Sequence, residues 1–89
     1  MQFSDLDFQP HEDWNDGVQA IHLFENGYGV SVIRTPFSYG GPNGLYEVAV
    51  IRGNSDNWQI TYDTPITGDV LGWQTPQDID DVLNRVQSL

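Results

Sequence analysis

Few residues of this chain could make or break a bond. The imidazoles are His11 and His22, the acids number thirteen, and there is no cysteine. His11 stands beside Glu12, Asp13 and Asp16, a set able to hold a divalent cation if its ligands converged. Its spacing matches no named metal loop, and a solvated acidic segment is the plainer reading. His22 sits in a strand-like run, where a half-buried histidine is the commoner case. Asn54, Ser55, Asp56 and Asn57 look like the start of a calcium loop. That loop needs a bidentate Glu at its twelfth position, and none follows, so they read as a turn. Serines occur at 4, 31, 38, 55 and 88, none in a nucleophile-elbow pattern. Gly40-Gly41-Pro42-Asn43-Gly44 is glycine-rich, but it lacks the following Lys-Ser/Thr and the helix that would receive a phosphate. The expectation is a protein that is not an enzyme, with no catalytic residue, metal or cofactor.

Charge carries more information. Thirteen Asp and Glu against three Arg and no Lys give a net charge of −10. A field of that sign repels nucleic acid and anionic membrane. A basic protein surface, a cation or water alone remains as partner. With no cysteine, disulfide frameworks and thiol chemistry are excluded. No stretch has the length of a membrane span, and a cytoplasmic location is expected.

Those residues must be positioned by one small domain. Residues 1–17 form an acidic N-terminal arm holding five acids and no base. Pro10 breaks any regular element there, and a short helical turn is expected near His11–Trp14. Phe3, Phe8 and Trp14 argue that parts of the arm dock on the rest. Asn15-Asp16-Gly17 is turn chemistry. Residues 18–89 form the domain proper. Val18–Glu25 reads as a strand, and Asn26-Gly27 as a two-residue type I′ hairpin turn leading into Tyr28–Thr35. Tyr28, Val30, Val32 and Arg34 share one face of that strand; Gly29, Ser31 and Ile33 share the other. Phe37–Gly44 is a loop displaying Phe37 and Tyr39. Leu45–Arg52 has two apolar faces, as a central strand should, and Trp58–Asp63 alternates. Trp58 is expected in the core. Ile66–Trp73 reads as an extended or turn-like connection. At the end, Thr75 as N-cap, Pro76 at the first position and Asp78 at the third predict a helix. Its stripe is Ile79, Val82, Leu83, Val86 and Leu89. The fold class is therefore α+β: an antiparallel β-meander of about four strands with one C-terminal α-helix packed on one face. The other face is left for the arm or for a partner.

The stretches NGYGVSVIR (26–34), GLYEVAV (44–50) and WQITYDTPITGDVLG (58–72) resemble small uncharacterised acidic accessory proteins of tailed bacteriophages. The resemblance lies within residues 24–75 and carries no known chemistry. It implies a phage accessory product made in the host cytoplasm. In that setting acidity has a further use, because carboxylates can stand in for phosphates in a basic groove. The leading expectation is a protein-binding accessory protein, including the case of a nucleic-acid-mimicking inhibitor of a host defence or nucleic-acid-binding protein. Its candidate contacts are Asp5, Asp7, Glu12, Asp13 and Asp16 on the arm, with Phe37 and Tyr39 on the loop. The alternative is a structural or homo-oligomeric virion-associated module, using a free sheet face such as Tyr28, Val30 and Val32, or an edge strand. A small hydrolase or metal-dependent enzyme ranks third.

Overall fold

A computed structural model describes residues 1–13 and 16–89. Among these residues, six antiparallel strands and one α-helix form the α+β fold expected. The strands are β1 (Gln9–Pro10), β2 (Val18–Leu23), β3 (Tyr28–Arg34), β4 (Tyr46–Asn54), β5 (Asn57–Ile60) and β6 (Leu71–Gln74); the helix is α1 (Pro76–Gln87). The sheet runs β1-β2-β3-β4-β5, and β6 shares the outer edge of β4 with β5. Pairing Ile51 with Ile60 and Val48 with Leu71 divides that edge between them. The β-branched alternation of β3 and β4 makes these two strands the centre. Two short strands, β1 and β6, add to the meander. Two-residue pairings such as β1 leave little periodicity to read, and the glycine in β6 hides its alternation.

Helix α1 starts as its sequence grammar predicts. The Thr75 hydroxyl accepts the Asp78 N–H at 3.1 Å, and the Asp78 carboxylate accepts the Thr75 N–H at 2.9 Å. Ile79, Val82, Leu83 and Val86 are buried against Val30, Val32, Val48 and Val50. Burying a side chain of this size contributes about 1.5–3 kcal/mol, so this layer dominates the packing. Leu89, at the end of the stripe, stays exposed.

The arm lies on the same side of the sheet as the helix. A short 3-10 turn at Phe3–Asp5 delivers the Phe3 N–H to the Asp80 carboxylate at 2.6 Å. The Phe3 and Phe8 rings meet Tyr46 at 5.1 and 5.5 Å between centroids. Met1, Phe3, Leu6 and Phe8 thus extend the helical layer. The opposite face carries Ile21, Leu23, Ser31, Ile33, Ala49, Ile51, Trp58 and Ile60 by strand alternation.

Several expectations are corrected. Asn26-Gly27 is not a two-residue I′ turn. Gly27 donates to the Phe24 carbonyl, Phe24 donates to Tyr28, and only Gly27 has positive φ (85°). This is the three-residue hairpin loop. Asn26 is held differently because its side chain is engaged: Oδ1 accepts the Tyr28 N–H, and Nδ2 reaches the Val86 and Gln87 carbonyls at 3.0 and 3.1 Å. Val30 and Val32 are fully buried by the helix, so their face is closed to a second copy. Trp58 is half-buried and lies outside the core cluster, because its strand β5 is at the sheet edge. The extended end expected of Ile66–Trp73 is present and pairs with β4 as strand β6, Leu71–Gln74. The expected helical turn near His11–Trp14 and the turn at Asn15 involve residues 14 and 15, outside the described set.

Candidate functional site

The loop between β3 and β4 is closed by its own buried side chains. Thr35 and Ser38 are both buried, and their side chains close the turn on itself. The Ser38 hydroxyl accepts the Thr35 N–H at 2.9 Å and donates to the Thr35 carbonyl at 3.1 Å. The Thr35 hydroxyl accepts the N–H groups of Phe37 and Ser38 at 3.1 and 2.9 Å. A 3-10 turn at Gly41–Asn43 follows, and Leu45 donates back to the Gly40 carbonyl at 3.0 Å. A short serine/threonine turn of this sort orders backbone that would otherwise cost entropy to fix. On this frame the candidate residues Phe37 and Tyr39 are 75% and 63% exposed.

Strand β6 completes the surface. Tyr46 and Val48 of β4 are two residues apart, whereas their partners Gln74 and Leu71 are three apart. The extra residue is a β-bulge, which re-aims a side chain. Trp73 lies in it with φ of 58°, the one non-glycine residue at positive φ among those described. An aromatic residue in the left-handed region costs about 1–2 kcal/mol, yet its side chain is 57% exposed. Its N–H donates to the Tyr39 carbonyl at 3.1 Å, and a Cβ at Gly72 would stand 2.5 Å from the Tyr39 Cβ. Glycine at 72 is what lets the loop lie flat on β6. The Tyr39 N–H is held by the Glu47 carboxylate at 3.1 Å. Phe37 and Tyr39 on the loop and Trp73 on the strand bonded to it are all exposed, and together they are the aromatic platform of this end of the sheet.

The acidic candidates are spread more widely. Asp16 lines a shallow cleft with Arg34, Thr35, Pro36, Gly41 and Pro42, on the flank of the loop. Asp7 and Glu12 border a groove beside β1 and β2 instead. The Asp5 carboxylate accepts the Gln2 N–H at 2.8 Å and caps its own 3-10 turn. The Asp7 carboxylate accepts from the Gln9 side chain, and the Asp13 N–H donates to His11 Nδ1 at 3.1 Å. Of the candidates, Asp16 lies beside the loop that carries Phe37 and Tyr39, Asp7 and Glu12 lie along β1 and β2, and Asp5 and Asp13 bond within their own turns of the arm. The guanidinium groups of Arg34 and Arg52 lie over the Tyr46 and Tyr28 rings, 5.3 and 5.5 Å from the centroids. Carboxylates of Asp5, Glu47, Asp78 and Asp80 are used on backbone N–H groups.

Among the described residues, no group of three or more His, Cys, Asp or Glu could hold a metal ion. No helix among them is long and apolar enough to cross a membrane. The Asp78 carboxyl is held below its usual range by the backbone N–H and side-chain hydroxyl of Thr75. No family model, no curated protein and no solved structure matches the chain.

Sequence reasoning missed Trp73. The available signal was Gly72-Trp73 immediately before the capping box at Thr75, where a glycine beside a large aromatic marks close backbone approach.

Proposed function

We propose that the chain is a non-enzymatic, phage-type accessory protein that binds a basic protein surface through the Phe37-Tyr39-Trp73 platform. The observation that supports this most is that three large aromatics are presented to solvent on a hydrogen-bonded frame, one of them in a strained backbone conformation. Strain of this kind is kept where surrounding structure over-determines it, and it clusters at ligand clamps. Exposed tyrosine and tryptophan on a rigid frame bury large area at low entropic cost, and such residues dominate interface energetics.

Charge supplies the partner's character. A net charge of −10 attracts a basic surface over several ångströms and accelerates encounter. A partner arginine or lysine then gains a cation–π contact on the tryptophan or tyrosine faces, with Asp16 at the flank. A host defence or nucleic-acid-binding protein offers such a surface, and the chain would occupy its groove in place of nucleic acid, in the host cytoplasm.

The test is capture from bacterial lysate on the immobilised chain, run across a salt series beside the double variant Tyr39→Ala/Trp73→Ala. The expected result is a discrete partner that salt releases, and that the double variant retains ~100-fold less tightly, as hot-spot losses of this size imply. Recovery of no discrete partner, or retention indifferent to salt and to the double substitution, overturns the reading.

A further inference from the structure

The outer edge of β2 is only partly used. The Phe24 N–H donates to Tyr28 of β3, and the Gly17 carbonyl accepts from His11 on the β1 side. Antiparallel strands alternate the direction of their hydrogen-bonding groups. Even-numbered residues of β2 therefore exchange bonds with β3, and odd-numbered ones turn their N–H and C=O groups toward β1. That strand reaches only Val18 and Gln19. Running back along the edge, the chain leaves it at Phe8, whose ring packs on Tyr46 at 5.5 Å. Among the described residues no strand pairs with Ile21 or Leu23 on that side.

An unpaired edge is a template for another strand, and proteins usually blunt it with lysine, proline or a bulge. Here Ile21 is 36% exposed instead. The rims are acidic. Asp7 and Glu12 line the groove that includes Ile21, Glu25 lines the one that includes Leu23, and no arginine lines either. Joining two edges from two copies would bring these carboxylates together on molecules of net charge −10 each; like charge disfavours that pairing.

We propose that the free edge of β2 at Ile21 and Leu23 is a strand-addition site for an extended basic segment of a partner protein. The segment's main chain pairs with these two residues, its apolar side chains lie beside Ile21 and Leu23, and its lysine or arginine side chains meet Asp7, Glu12 and Glu25. Main-chain bonds supply affinity in this mode, and the alternating side chains supply selectivity. The site is separate from the aromatic platform and does not depend on it.

The probe is a capped octapeptide alternating valine and arginine, titrated into the labelled chain and followed by amide NMR. The expected result is shifts led by Ile21 and Leu23, slower exchange of their amides, and release by salt. Two controls isolate the backbone: the same peptide N-methylated at alternate residues, and the variant Ile21→Pro. Proline at 21 removes an outward N–H and spares the β3 ladder, as edge positions permit. Each control is expected to weaken binding by ~tenfold or more. The methylated peptide keeps the test valid should Ile21→Pro fail to fold. Equal binding of the methylated peptide, equal binding of a valine–glutamate peptide, shifts confined to Tyr39 and Trp73, or no binding each overturns the proposal. So does sedimentation showing that a second copy takes the edge.

Discussion

The two ends of the sheet are built from the same polar turn chemistry and put it to opposite uses. At one end the Phe24–Tyr28 hairpin and the Asn54–Asn57 turn lie side by side, joined by the Gly53 N–H on the Gly27 carbonyl at 3.0 Å. Asn26 fastens this end to the last turn of α1, and Asn54 Oδ1 accepts the N–H groups of Asp56 and Asn57 at 3.0 and 2.9 Å. Every one of these side chains is spent on the protein's own backbone. At the other end an eleven-residue loop, 35–45, is closed by hydrogen bonds between Thr35 and Ser38. That frame carries Phe37, Tyr39 and Trp73 outward. At the turn end positive φ is confined to the glycines Gly27 and Gly53, whereas the loop end has it at Gly40, at Gly44 and also at a tryptophan, Trp73. The difference teaches that rigidity alone marks no site. Exposed aromatic area and unrelieved strain are what the loop end adds to rigidity, and the proposed function rests on them.

Substitutions can separate the two ends. The largest effect is expected at the turn end. Asn26→Ala removes the donor to the Val86 and Gln87 carbonyls and the acceptor for Tyr28. Stability measured by denaturant is expected to fall by about 1–3 kcal/mol, with binding through the platform unchanged once the protein is folded. Next, Ser38→Ala leaves the buried Thr35 N–H without its acceptor. A loss of about 1–2 kcal/mol is expected, here accompanied by faster amide exchange across 35–45 and weaker binding.

Smaller and opposite in sign is Trp73→Gly. It relieves the left-handed strain of about 1–2 kcal/mol at an entropic cost of about 0.5–1 kcal/mol. Stability should hold or rise by up to ~1 kcal/mol while partner retention collapses, and a clear drop in stability would show that the ring is there for packing. The smallest effect is a pH dependence at Asp78. Its carboxyl titrates below the usual value, so its contribution is present above about pH 3.9 and is lost as pH falls through the depressed folded value. Protection of the Thr75 amide, taken against its intrinsic exchange rate at each pH, is expected to fall only in that acid range, and Asp78→Asn should abolish the dependence.

How much of this was legible in the sequence follows from where periodicity exists. The α1 start was readable down to the reciprocal Thr75–Asp78 bonds, because capping is local chemistry. Strands β3 and β4 were readable because Val30, Val32, Val48 and Val50 alternate cleanly. The hairpin's location was readable from Asn26-Gly27 but its turn type was not, since that depended on Asn26 reaching a helix end sixty residues away in sequence. The side on which the arm docks was hidden for the same reason: Phe3 and Phe8 find Tyr46 only in three dimensions. Phe37 and Tyr39 were legible as exposed aromatics from a glycine-rich loop. Trp73 was not, because the bulge that turns it outward arises from β6 sharing the edge of β4, a pairing that no local pattern encodes.

Recognition is proposed for the loop end and scaffolding for the turn end. Amide hydrogen exchange on the captured complex against the free chain tests it most directly. The expected result is new protection at residues 35–45 and 71–74 that exceeds any at residues 25–27 and 53–57. Protection concentrated at those two turns, with the loop and β6 exchanging as in the free chain, would contradict it.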